Sequence, residues 1–131
     1  MQNYDIVYIK GNPSSGTLLQ HDQINNSVIE LIKSYSYEVI DSQEKNLSGV
    51  KIPKAKVYIG FSRGSRYLNK LDKSSLKISI GGISGTNVHL FTNSEDKILL
   101  GDISDLSIQG HFIICDRDKI KIKSLIDSFL L

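Results

Sequence analysis

Lys56-Val57-Tyr58-Ile59-Gly60-Phe61-Ser62-Arg63-Gly64-Ser65 carries the most chemistry of any stretch in the chain. It reads G-x-S-x-G, placed directly after an apolar, β-branched run and before a helix-like one. A serine at the apex of such a strand-to-helix turn takes up a strained backbone position. Glycine is required on either side because a Cβ there would collide with the neighbouring strand or helix. The turn lifts the Ser62 hydroxyl clear of the sheet and aims the first amides of the following helix at a reacting carbonyl. The chemistry this permits is nucleophilic attack on an acyl carbon.

A hydroxyl attacks only when a base removes its proton, and the base needs an acid to orient it. On an elbow of this kind the chain order is Ser, then Asp or Glu, then His. Two histidines follow Ser62. His89 stands inside the strand-like run Asn87-Val88-His89-Leu90-Phe91 and reads as a packed or exposed strand residue. His111 follows Leu106-Ser107-Ile108-Gln109-Gly110 and precedes the last helix, which puts it on a loop at a strand's carboxyl end. It is the candidate base. Asp96, just past another strand end, is the candidate acid, with Glu95 and Asp102 as substitutes. Asn, Ser, Glu and Asp are also common turn residues, so a purely structural role for Asp96 stays open.

The elements that must position these residues are short strands alternating with helices. Strand-like runs cover Tyr4–Ile9, Tyr37–Ile40, Lys56–Gly60, Lys77–Ile80, Val88–Thr92 and Leu106–Gln109. Several are apolar at nearly every position, as strands covered on both faces are. One helix is expected from near Asp22, its N-cap, with Ile24, Val28, Leu31 and Ile32 on one face. A shorter one is expected over Arg63 to Leu71. The last starts near Asp116 or Asp118 and carries Ile122, Leu125, Ile126 and Phe129 at helical spacing. Ser42–Lys54 has no helical period and reads as a loop. The expected architecture is a three-layer α/β domain with about six mostly parallel strands, its ligands at the strands' carboxyl ends.

The 131 residues fit one domain, 1–131, and 40 % apolar content supplies an ordinary core. Sixteen basic and 14 acidic residues leave a net charge of +2, which gives neither nucleic acid nor a membrane surface a reason to bind. Cys115 has no second cysteine to pair with, as suits a reducing compartment. Met1–Asp5 lacks a basic start, and Ile6–Ile9 is too short for a signal core or a membrane span. A cytoplasmic location is expected.

Over nearly its whole length the chain resembles the α/β-hydrolase superfamily. Val7-Tyr8-Ile9-Lys10-Gly11-Asn12-Pro13-Ser14-Ser15-Gly16 is similar to the family's early strand and His-Gly-x loop, and Gly60-Phe61-Ser62-Arg63-Gly64 to its nucleophile elbow. Asn93-Ser94-Glu95-Asp96-Lys97-Ile98 resembles the acid loop, Gly110-His111-Phe112 the histidine loop, and Leu125–Leu130 the closing helix. The resemblance implies a catalytic triad of Ser62, His111 and Asp96. It also implies an oxyanion hole from the amides of Asn12 and Arg63, hydrolysis of an ester or similar acyl bond, a small-molecule acyl substrate and no cofactor. The chain departs from the family in having Lys10 where a histidine usually precedes Gly11, and in lacking a cap domain and the first two strands. A sheet without those strands has an edge that a second subunit could cover, giving a homodimer.

Rival readings start from the same residues. Val88–Asn93 could turn through Ser94-Glu95 and return antiparallel as Lys97–Leu100, leaving Asp96 a turn residue. Gly11-Asn12-Pro13-Ser14-Ser15-Gly16-Thr17 follows a strand and precedes a helix as a phosphate-binding loop does. Thr17 stands where that loop needs lysine, however, and Pro13 removes a backbone donor. The framework could also serve as a non-catalytic relic or binding module. Three histidines and one cysteine fall at no recognised metal-ligand spacing, and Asp118–Lys123 reads as the solvated face of the last helix.

Overall fold

Strands buried on both faces need apolar side chains at odd and even positions alike, and the first strand shows it. In this computed structural model, which describes residues 3–12, 18–41, 52–82, 88–91 and 116–131, strand β1 spans Tyr4–Lys10. Ile6, Val7, Tyr8 and Ile9 are all fully buried. Helix α1 follows (Leu18–Ile32), then β2 (Tyr37–Asp41) and β3 (Ala55–Phe61). A 3-10 helix covers Ser62–Lys70, followed by β4 (Leu76–Ile80), β5 (Val88–Phe91) and helix α2 (Asp116–Leu130).

The described strands form one sheet in the order β2-β1-β3-β4-β5, with every neighbouring pair parallel. The class is therefore α/β with a parallel sheet. Five strands are described where about six are expected; the sixth, Leu106–Gln109, lies outside the described residues. β4 and β5 are joined by residues 81–87 alone, although a parallel crossover ordinarily takes a dozen residues or more. The strand described there, β5, is four residues long.

Alternation along the strands divides the core in two. Ile6, Tyr8, Val57, Ile59, Phe61, Ile78 and Ile80 share one cluster with Ile24, Val28 and Ile32 of α1 and Ile122 and Ile126 of α2. Val7, Ile9 and Tyr58 point the other way and meet Leu68 of the 3-10 helix, with Tyr67 and Leu71 alongside. Polar ties fix the helices on the first face. The buried Tyr8 hydroxyl donates to Asn25 Oδ1 on α1 at 2.6 Å, and burial raises its pKa. The Tyr35 hydroxyl, just past α1, donates to Asp127 on α2. Lys123 lies 4.7 Å from the centre of the Tyr35 ring and pairs with Asp127 at 3.4 Å.

Two boundaries differ from the expectation. α1 begins at Leu18, four residues before the expected N-cap, so Asp22 is an exposed residue inside the helix. The helix after the elbow is of the 3-10 type, its last turn closed by Leu71 N–H donating to the Leu68 carbonyl at 3.2 Å. Among the described residues no helix is long and apolar enough to cross a membrane.

Two measurements check this packing. Ile126→Ala, at a position with no exposed surface, should lower unfolding stability by about 2–5 kcal/mol in urea titrations. Ile120→Ala, 71 % exposed on the same helix, should stay within about 0.5 kcal/mol. The hydrogen bond from Tyr35, and after it Lys123, holds the Asp127 carboxyl below its ordinary pKa. That contribution is complete above the pKa of the unfolded carboxyl, about 3.9, and disappears as pH falls through the lower folded value. Tyr35→Phe should therefore flatten the acid limb of a stability–pH curve below about pH 4. An unchanged acid limb would remove the tie between Tyr35 and Asp127.

Candidate functional site

In a parallel sheet, ligands bind beyond the carboxyl ends of the strands, where the strand order reverses and neighbouring connections leave on opposite faces. Here the reversal lies between β1 and β3. The chain leaves β1 towards β2 on one side, β3 lies on the other, and α1 and the 3-10 helix pack on opposite faces. The residues just past these two strand ends are Gly11-Asn12 and Ser62-Arg63. The sheet thus brings together three of the five residues singled out from the sequence. Ser62 is half-buried, whereas Asn12 and Arg63 are exposed.

The backbone at Ser62 sets it apart. Phe61 is still extended (φ −112°, ψ 127°), and Ser62 then turns to φ 53°. It is the one non-glycine residue with positive φ among those described. Left-handed backbone costs an ordinary residue about 1–3 kcal/mol, and it persists only where the surroundings enforce it. The surroundings here are two close backbone approaches. A Cβ on Gly64 would stand 2.2 Å from the Ile9 carbonyl oxygen of β1. A Cβ on Gly60 would stand 2.8 Å from Ser65 Cα and 2.9 Å from the Gly64 carbonyl oxygen. Each glycine lets one side of the turn touch a strand or the start of the 3-10 helix.

Buried hydroxyls hold the turn from below. Ser65 Oγ donates to the Gly60 carbonyl at 3.1 Å, and Ser79 Oγ of β4 donates to Ser65 Oγ at 2.9 Å. Ser65 and Ser79 are 2 % and 0 % exposed, so this relay runs through the protein interior between β3, the 3-10 helix and β4. A buried hydrogen bond of this kind costs little to keep and much to break.

Asp96 and His111, with Glu95 and Asp102, lie outside the described residues, as do Cys115 and the segment Pro13–Thr17. His89 sits on β5 opposite Ile78, exposed and well below the strand's carboxyl end. One residue near the elbow was not singled out from the sequence. His21 is 1 % exposed, and its ring packs against that of Phe61 with centroids 4.7 Å apart. Its position one turn before Ile24 and two before Val28 carries the signal, once α1 is known to start at Leu18. No group of three or more His, Cys, Asp or Glu able to hold a metal occurs among the described residues.

Two cavities lie away from the elbow. One of about 460 Å³ opens at the amino ends of β1 and β3, bordered by Tyr4, Asp5, Lys54, Asp72 and Ser74. The other, about 490 Å³, is a shallow trough bordered by Leu31, Ile120, Lys123, Asp127 and Leu131. Neither stands at the carboxyl ends of β1 and β3, where Ser62 lies. No protein-family model, curated protein or solved structure matches the chain significantly.

Chemical denaturation tests how firmly the turn is seated. Gly64→Ala should cost about 3 kcal/mol, because the obstacle to its Cβ is backbone. Ser65→Ala should cost about 1–3 kcal/mol by stranding the buried Ser79 hydroxyl and Gly60 carbonyl. A Gly64→Ala protein of undiminished stability would show that the turn does not rest on β1.

Proposed function

We propose that the chain is a small serine hydrolase of the α/β-hydrolase type, acting on an ester or similar acyl bond of a small molecule. The observation that carries this reading is Ser62 itself. It is a non-glycine residue at φ 53°, half-exposed, at the carboxyl end of a central parallel strand and beside the reversal of strand order. Strain stored at one serine in such a place is a feature of nucleophiles. The parallel order β2-β1-β3-β4-β5 supports the same reading by giving the elbow a strand on each side. The finer architecture belongs to this proposal: a three-layer domain whose sixth strand is Leu106–Gln109.

The chemistry follows from the roles of the residues. Ser62 Oγ attacks the acyl carbon as His111 takes its proton, with Asp96 orienting the imidazole. The carbonyl oxygen becomes an anion held by the amides of Asn12 and Arg63. Collapse of the tetrahedral intermediate breaks the bond to the leaving group, which receives the proton from His111, and an acyl-Ser62 ester remains. Water, deprotonated by His111, attacks that ester and releases the acid and the free serine. Neither metal nor cofactor has a role in these steps. A homodimer formed over an uncovered sheet edge is part of the same proposal.

Purified protein incubated with a fluorophosphonate probe and with short-chain p-nitrophenyl esters tests the reading. Labelling and turnover are expected in the wild type and absent in Ser62→Ala. His111→Ala should reduce kcat by about 10⁴-fold or more, and Asp96→Asn by about 10⁴-fold. Turnover untouched by His111→Ala would reassign the base. A wild-type protein that neither turns over an ester nor forms an adduct would leave the binding-module reading in place of the enzyme.

A further inference from the structure

We infer that His21 is a positioning residue for the oxyanion turn, a buried wedge that sets how closely Gly11-Asn12 approaches Ser62; the inference rests on the hydrolase reading above. Three groups close around a single face of Gly11. A Cβ built there would stand 2.7 Å from His21 Cε1, 3.0 Å from the Phe61 carbonyl oxygen and 3.1 Å from Ser62 Cβ. His21 and Ser62 are therefore no further apart than those two gaps laid end to end, both on the face of Gly11 that its Cβ would occupy. The imidazole cannot drift. It is 1 % exposed, it lies on the buried face of α1 ahead of Ile24 and Val28, and it is braced by the equally buried Phe61 ring.

The consequence for catalysis is geometric. In the proposed mechanism the Asn12 amide is one of two donors to the oxyanion, and it directly follows Gly11. Its distance from Ser62 is fixed on one side by the turn of β1 and on the other by whatever fills the space beneath Gly11. His21 fills that space. A misplacement of about 1 Å in such a site costs around 100-fold in rate, and losing one oxyanion donor costs about 100- to 1,000-fold. In this role the ring acts by its shape, so a flat ring that carries no proton serves as well.

Fluorophosphonate acylation and p-nitrophenyl ester kinetics on four full-length variants test this, with folding checked by thermal melting. His21→Ala should slow acylation by about 10- to 100-fold, in kcat with KM unchanged. His21→Phe, which keeps a flat ring but can carry no proton, should stay within about threefold of wild type. Gly11→Ala should be slow as well. The double variant Gly11→Ala/His21→Ala should be faster than Gly11→Ala alone, because removing the ring makes room for the new methyl; such non-additivity is the mark of direct contact. If His21→Ala does not fold, the comparison of His21→Phe and Gly11→Ala with wild type still decides. Loss of activity in His21→Phe, or a His21→Ala protein that acylates at the wild-type rate, would overturn the wedge while leaving the hydrolase intact. A wild-type protein that is never labelled would overturn the hydrolase reading first and this inference with it.

Discussion

The approach of Gly64 to the Ile9 carbonyl is the constraint on which the rest of the molecule depends. Backbone against backbone leaves no side chain to give way, so the end of β3, the turn and the start of the 3-10 helix can occupy only one height relative to β1. That height forces Ser62 into the left-handed region and directs the 3-10 helix onto the face where Leu68 meets Val7, Ile9 and Tyr58. Cost and support lie close together. The strain at Ser62 is local, whereas the packing that holds it extends over three strands and a relay of two buried hydroxyls.

Much of the frame was legible from residue types. Runs such as Ile6–Ile9 and Val57–Ile59 are apolar without alternation, and the strands built on them are buried on both faces, as β-branched continuity implies. The elbow was legible because glycine spacing encodes close approach, which is a steric requirement and so leaves a trace in sequence. The start of α1 was less so. Asp22 looks like a cap, but the face formed by His21, Ile24, Val28 and Ile32 extends the helix upstream, and tertiary burial outweighs a local capping preference. His21 was missed for the same reason, since its importance comes from Gly11 and Phe61, which are distant in the chain. The 3-10 geometry of Ser62–Lys70 has no signature in residue type that separates it from an α-helix. Asp96 and His111 were chosen on chain order and loop position alone, and both fall outside the described residues.

The two faces of the sheet are secured by different means. On the α1 and α2 face the contacts are mostly aliphatic, with Tyr8–Asn25 and Tyr35–Asp127 as polar pins at the margins. On the other face the apolar cluster is smaller and the polar contribution larger. There the Tyr58 hydroxyl donates to the Pro53 carbonyl at 2.9 Å and accepts from the Ala55 amide at 3.0 Å, and Lys77 Nζ donates to the Leu71 carbonyl at 3.0 Å. These bonds stitch the carboxyl end of the 3-10 helix and the entry to β3 to the sheet, which compensates for a helix type whose own hydrogen bonds are poorer.

The placement of β1 in the interior of the sheet has a consequence for how the chain is made. Ile6 pairs with Tyr37 on one side and with Val57 on the other, so β1 lacks one of its neighbours until β3, far downstream, has been made. Until Val57 emerges, an apolar ribbon with an open flank is exposed to every other nascent chain nearby. Long-range parallel pairing is slow for the entropic reason that each crossover must close before it is rewarded. Mispairing is therefore a hazard for as long as β1 waits for β3, before the turn that carries Ser62 exists.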